Sequence, residues 1–373
     1  MAIAHVRVPQ GRIPEWMGFD GLVQLISVDG QRTVGCPYWE LVADVGAEQL
    51  RELYTDMVVV RRLDAEAMAL QRQGELGLWA PLLGQEAAQV GSAHALQPDD
   101  FVLPSYREHG VAYCRGVDPV AMLQLWRGTA LSGWDPADFG IATPAIIVGS
   151  QALHATGYAL GIALDGATSA AVAYFGDGAS SEGDVAEAFG FAASYAVPVV
   201  FVCQNNQWAI SEPVRLQSHG SIAQRGQGYG IPGIAVDGND VLAVLAATRL
   251  ALARAYAGGG PTLIEAVTYR MGPHTTSDDP TRYRSHEEEE EWRVKDPLAR
   301  LRALLRSEGL ADDPFDDETT AVAEDAAARL RRGCLALPDP PPDALFEHVY
   351  AGPHPLLQEE REAYEDYLST LES

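Results

Sequence analysis

The stretch Ala170–Ser211, AAVAYFGDGASSEGDVAEAFGFAASYAVPVVFVCQNNQWAIS, decides the fold. Its first apolar run, Ala170 to Phe175, is short and ended by Gly176, the pattern of a strand buried in a parallel sheet. Val185, Phe189, Ala192 and Ala196 then recur at i, i+4, i+7 and i+11, one face of a helix. Pro198 and a second apolar run, Val199 to Cys203, follow. Two parallel strands joined by a helix need about 30 residues, and Asp177 and Asn206 close the two runs 29 positions apart. The spacing predicts that they lie side by side at the carboxyl ends of neighbouring strands, where open α/β sheets bind ligands.

A carboxylate and an amide oxygen suit Mg²⁺, which takes hard oxygen ligands at about 2.0–2.1 Å and shares its shell with water and phosphates. Gly176, Gly178 and Ala179 would let backbone approach a phosphate at the start of the next helix. A metal-bridged diphosphate follows from these residue types. A dinucleotide site is disfavoured, because its fingerprint wants a third glycine where Ser181 stands and an acid after the second strand, which ends in Gln204, Asn205 and Asn206.

Outward from this unit, helical and strand-length patterns alternate from Ala47 to about Arg270, so the expected fold class is α/β with a doubly wound parallel sheet. Residues 1–46, with Pro9, Pro14, Pro37 and short β-like pieces in GLVQLISV, are expected to form an N-terminal arm draped on a partner. The main domain spans 47–310, and 311–373 form a helical extension interrupted by the proline cluster Pro338 to Pro342. The loop from Met271 to Ser285 is expected to be exposed and mobile. Glu287 to Glu291 look like a solvated helix start.

The 373 residues carry 52 acidic and 26 basic side chains, a net charge of −26 that disfavours a nucleic-acid surface without a local basic patch. None is visible. The four cysteines, Cys36, Cys114, Cys203 and Cys334, lack CxxC spacing, which argues against a structural zinc or disulfide framework and suits a reducing cytoplasm. Cys203 is expected in the core. No apolar run approaches the roughly 18 residues of a membrane span, and MAIAHVRVPQ lacks a signal-peptide core, so a soluble cytoplasmic protein is expected.

The opening stretch resembles the thiamin-diphosphate motif in the form found in alpha subunits of 2-oxo acid dehydrogenases, the decarboxylating components of the pyruvate and branched-chain complexes. RQGELGLWAPLLGQEAAQVGSAHAL, FVLPSYREHG, PAIIVGSQ, GYGIPGIAVDGND, PTLIEAVTYRMGPHTTSDDPTRYRS and KDPLARLRALL resemble the same family in the same order, from Asp44 to Gly309. The resemblance implies a thiamin diphosphate-binding domain. It also implies Mg²⁺ held by the Asp177 and Asn206 side chains and the Trp208 carbonyl, with the amides of Gly178 and Ala179 meeting the phosphates. Tyr106 and Arg107 match the family's diphosphate-binding pair, and a guanidinium suits phosphate because its fork donates bidentately. Ile146 and Val148, ordinary strand residues by pattern, match positions that hold and bend the aminopyrimidine. His274 matches a site histidine; its usual pKa near ~6.5 would let it change protonation near neutrality. His109 is a weaker candidate, and His154 is expected to pack in a helix.

The implied activity is oxidative decarboxylation of a 2-oxo acid with acyl transfer to the lipoyl group of an acyltransferase core. LGLWAPLLGQEA, PAIIVGSQ and QNNQWAIS look like the pyruvate type, the first choice; ASSEGD, GQGYG and TTSDD look like the branched-chain type. Gln204 stands where some branched-chain relatives carry arginine, and Thr275 where animal enzymes carry a regulatory serine. The family's activating glutamate belongs to a separate beta subunit, so the implied assembly is an alpha2-beta2 heterotetramer that engages the lipoyl domain. A non-catalytic diphosphate-binding subunit is the competing class, opposed by the retained Asp177, Asn206, Tyr106, Arg107 and His274.

Overall fold

A computed structural model describes residues 21–347 and 349–371. Residues 1–20 of the expected arm, including Pro9 and Pro14, lie outside the described residues. The first half of the chain runs α1 (Ala47–Arg72), α2 (Glu86–Ala93), β1 (Phe101–Leu103), α3 (His109–Cys114), α4 (Pro119–Arg127), α5 (Pro136–Phe139), α6 (Ser150–Asp165) and β2 (Ala171–Gly176). It continues with α7 (Gly183–Tyr195), β3 (Val199–Asn205), the two-residue strands β4 (Trp208–Ala209) and β5 (Glu212–Pro213), α8 (Val214–Gln217), β6 (Gly233–Asp237) and α9 (Val241–Tyr256). β7 (Thr262–Val267), α10 (His286–Arg293), α11 (Pro297–Ser307), α12 (Asp313–Ala336) and α13 (Pro355–Leu371) complete it.

Five strands pair in the order β1-β2-β3-β7-β6, all parallel. The sheet is covered on both faces, which is why its strands read as unbroken apolar runs. Val172, Tyr174, Val200 and Val202 pack in the core that includes α2 and α9, whereas Ala171, Ala173, Phe175, Val199 and Phe201 pack with α6 and α7. A third cluster joins α1, α4 and α12 through Leu63, Leu70, Trp126, Ala326 and Leu330. No described helix is long and apolar enough to cross a membrane.

The β2–α7–β3 unit matches the spacing, with Val185, Phe189 and Ala192 buried on α7 and Cys203 buried in β3. Ala196 is a correction. It is exposed and caps the helix with φ 49°, while Ala188 supplies the buried position instead.

Residues 21–46 also depart from expectation, since they pack on this chain's own sheet. Val23 bridges Val236 beside β6, and Val23, Leu25, Ile26, Tyr38 and Leu41 are buried in the main core. The Asp240 carboxylate holds them there. One oxygen accepts from the amides of Leu25 (2.7 Å) and Ile26 (2.6 Å), while the other caps α9 by accepting from Leu242 and Ala243 (both 3.1 Å). Buried Arg300 pairs with Asp237 at 2.7 Å nearby, tying α11 to the end of β6.

Candidate active site

In the β2–β3 register Gly176 faces Gln204, so the residues that leave the two strands, Asp177 and Asn206, emerge together at the carboxyl edge. Asp177 is 1% exposed. Burial pushes its carboxyl up to about 6, partly offset by backbone hydrogen bonding and by the charge of Arg270. Its one side-chain contact is weak, Gln217 Nε2 donating to Oδ2 at 3.4 Å, and it forms no ion pair among the described residues. A buried carboxylate left so is primed for a cation.

Asn206 is oriented by its neighbour Gln85, whose Oε1 accepts from Asn206 Nδ2 at 3.1 Å. With the nitrogen engaged, Oδ1 is the atom presented for ligation; the Trp208 amide also donates to it at 3.3 Å. The turn that follows is built under strain, with Gln207 at φ 74° and the β-branched Ile210 at φ 55°. Buried Arg270 braces it, donating to the carbonyls of Trp208 (2.9 Å) and Ile210 (2.6 Å). A carbonyl has two lone pairs, so Trp208 can still offer one to a metal. Carboxylate, amide and carbonyl oxygens together are the donor set Mg²⁺ takes, so these residues fit the ion. At Gly178 an added Cβ would come 2.6 Å from the Ala209 Cβ, so only glycine lets the backbone run this close to the β4 turn.

Across the cavity, Arg107 is buried and reaches the loop after β7. Its Nη1 donates to the Pro81 carbonyl at 2.6 Å, and its Nη2 to the His274 carbonyl at 3.0 Å and toward Nδ1 at 3.3 Å. Tyr106 meets the His274 ring edge-on at 6.0 Å. Desolvation, then the positive charges of Arg107 and Arg270, lower the His274 pKa to about 4. This corrects the expectation of a histidine titrating near neutrality. With Nδ1 facing a guanidinium donor, the neutral ring carries its proton on Nε2 and serves as a hydrogen-bond donor.

The loop from Met271 to Ser285 is likewise half-buried instead of exposed. Asp278 accepts from the His274 amide (2.8 Å) and the Tyr283 hydroxyl (2.5 Å), Arg270 donates to Tyr283, and Thr276 exchanges two bonds with the Trp79 backbone. Within the acidic run, Glu288 is not simply solvated, because its Oε1 accepts from Trp208 Nε1 at 3.0 Å.

Tyr106, Arg107, Ile146, Val148, Gly176, Asp177, Gly178, Ala179, Asn206, Trp208 and His274 all line one cavity of about 540 Å³. Ile146 and Val148 are not strand residues; they sit in the loop before α6, about half-exposed at the cavity. His109 is elsewhere. It stacks on Trp79 with ring centroids 4.0 Å apart, is driven down to about 3 by burial, and bonds the Ala80 carbonyl. His154 lies on α6 as expected but is exposed and does not pack. Residues that spacing did not reveal include Gln85, Arg270 and Gln151. Gln151 donates from Nε2 to the Tyr174 carbonyl at 2.8 Å and leaves its buried Oε1 without a partner. Their common signal is a polar side chain inside an otherwise apolar context, visible only once burial is known.

Residues 54–329 match the family described as dehydrogenase E1 component. A 3-methyl-2-oxobutanoate dehydrogenase subunit alpha of Mycobacterium tuberculosis is 49% identical over 341 residues, covering 91% of this chain and 92% of its own. Pyruvate dehydrogenase E1 component alpha subunits of Staphylococcus aureus and Bacillus subtilis are each 44% identical, over 294 and 291 residues and 78% of this chain; 79% and 78% of their own lengths are covered. Fold, site and similarity converge: the chain belongs to the dehydrogenase E1 component family, among the alpha subunits of 2-oxo acid dehydrogenases.

Proposed function

We propose that this chain is the diphosphate-anchoring alpha subunit of a cytoplasmic, thiamin diphosphate- and Mg²⁺-dependent 2-oxo acid dehydrogenase. The observation that carries this is the buried Asp177, with no ion pair among the described residues, beside the pre-oriented Asn206 amide, inside the cavity shared with Arg107 and His274. Asp177, Asn206 and the Trp208 carbonyl would hold the metal, and the Gly178 and Ala179 amides with Tyr106 and Arg107 the diphosphate. Bound thiamin diphosphate would supply the electron sink for decarboxylation. His274, kept neutral, would donate from Nε2 to a phosphate or carboxylate oxygen, with Arg107 holding its ring in place. Ile146 and Val148 would offer apolar support to the cofactor from the cavity rim.

A beta subunit would close the half-exposed rim and supply the activating glutamate, and the acyl group would pass to a lipoyl domain. The relatives' names as alpha subunits support this assembly. For the substrate, 49% identity to a branched-chain alpha subunit against 44% to pyruvate alpha subunits favours a branched-chain 2-oxo acid. The apolar side chains of Leu78, Ala80 and Trp126 in the lining are compatible with it. Pyruvate is the second choice, supported by LGLWAPLLGQEA, PAIIVGSQ and QNNQWAIS and by the two 44% relatives.

The test is an assay of the chain reconstituted with its beta subunit. Because a methylene in an apolar pocket is worth about 1–3 kcal/mol, kcat/KM for 2-oxoisovalerate is expected to exceed that for pyruvate by about tenfold or more. The reverse ratio would assign pyruvate, and normal turnover by the isolated chain would overturn the shared-site arrangement.

A further inference from the structure

Away from the cavity, three side chains of metal-ligating type converge at one place among the described residues. They are Asp56 on α1, His94 at the C-terminal cap of α2 and Cys114 at the end of α3. One ligand atom from each lies within 4.8 Å of the other two, and His94 Nε2 is 2.7 Å from Asp56 Oδ2. We propose that Asp56, His94 and Cys114 form a second metal site, for zinc, separate from the cofactor cavity.

The donor set selects the metal. A thiolate, an imidazole and a carboxylate are the ligands zinc takes at about 2.0–2.3 Å, whereas Mg²⁺ and Ca²⁺ prefer oxygen. The edges of such a tetrahedron are roughly 3.3–3.6 Å. To close on one ion the three atoms, now within 4.8 Å of one another, would draw to these distances and the 2.7 Å Asp56–His94 contact would open. The Asp56 and His94 side chains are 19% and 13% exposed, so the site is shielded but open to solvent on one side. Glu52, exposed one turn before Asp56 on α1, adds negative charge near the cluster.

Charge supports the assignment. Cys114 is a free thiol that lies against the Asp56 carboxylate. A thiolate beside two carboxylates needs a cation to form, and zinc uptake would release the thiol proton. Thiolate and Asp56 carboxylate then neutralise a divalent ion. The site also has a mechanical consequence. It clamps the ends of α2 and α3 that lie opposite Gln85, the partner of Asn206, and opposite the Tyr106–Arg107 segment.

The experiment is a Co²⁺ titration of the full chain after chelation. One Co²⁺ per chain is expected to produce a thiolate-to-cobalt charge-transfer band in the near ultraviolet. Zn²⁺ should abolish the band, Cys114→Ser should lack it, and His94→Ala should bind at least about tenfold more weakly. Asp177→Ala should keep it, which separates this site from the cofactor cavity. Should Cys114→Ser fold poorly, alkylation of the wild-type chain decides: Zn²⁺ should slow modification of Cys114 at least about tenfold while leaving Cys36 unchanged. Absence of the charge-transfer band at stoichiometric Co²⁺, or equal Cys114 alkylation with and without Zn²⁺, would overturn the proposal.

Discussion

Asp177 holds its proton to about pH 6 because burial disfavours its charged form. A cation must displace that proton, so metal affinity should fall as pH drops through 6, by about tenfold between pH 7 and pH 5. Mn²⁺ binding followed by electron paramagnetic resonance would check this; a flat profile would detach Asp177 from the metal. The raised pKa has the opposite sign for folding. Without metal, the group's contribution is fully present below the unfolded value and is lost as pH rises through 6. At His274 the shift is downward, so its ring should remain neutral from pH 8 to pH 5 and titrate near 4 in the free chain, measurable by NMR. Its contribution to stability should be complete above about 6.5 and be lost as pH falls through 4. Gly178 is a steric requirement. Gly178→Ala should weaken thiamin diphosphate binding about tenfold through the 2.6 Å contact with Ala209, and adding Ala209→Gly should restore it. Failure of that rescue would show that the cost is not this clash.

At the scale of elements, Asp240 does two jobs that the chain separates by more than 200 positions: it caps α9 and ties the 21–46 segment to the sheet. Asp240→Ala should destabilise the chain by about 3 kcal/mol, with four amides losing their acceptor, and Asp240→Asn should cost less. Denaturant unfolding would measure both; a loss under 1 kcal/mol for the alanine variant would show that the segment is held by apolar burial alone. This joint also explains what sequence could and could not reveal. The β2–α7–β3 unit was legible because its signal is local: period, glycine punctuation and strand length coincide within 42 residues. The packing of Leu25 and Ile26 was not, because irregular backbone carries no period and its anchor lies far along the chain. His274 was legible as a candidate site residue and illegible in its protonation, since the burial that lowers its pKa, and the guanidiniums of Arg107 and Arg270 that lower it further, come only with folding.

For the whole molecule, the α/β fold gathers the expected anchor residues into one cavity and leaves Ile146, Ile147 and Val148 exposed in the loop at its rim. Half-exposed apolar side chains beside a polar site suit a surface completed by another chain. The proposed function requires this chain to anchor thiamin diphosphate through a metal held by Asp177 and Asn206. Calorimetric titration of thiamin diphosphate into the chain reconstituted with its beta subunit, with and without Mg²⁺, tests it most directly. Saturable binding that appears only with Mg²⁺ is predicted; equal affinity in the two conditions, or no binding in either, would contradict it.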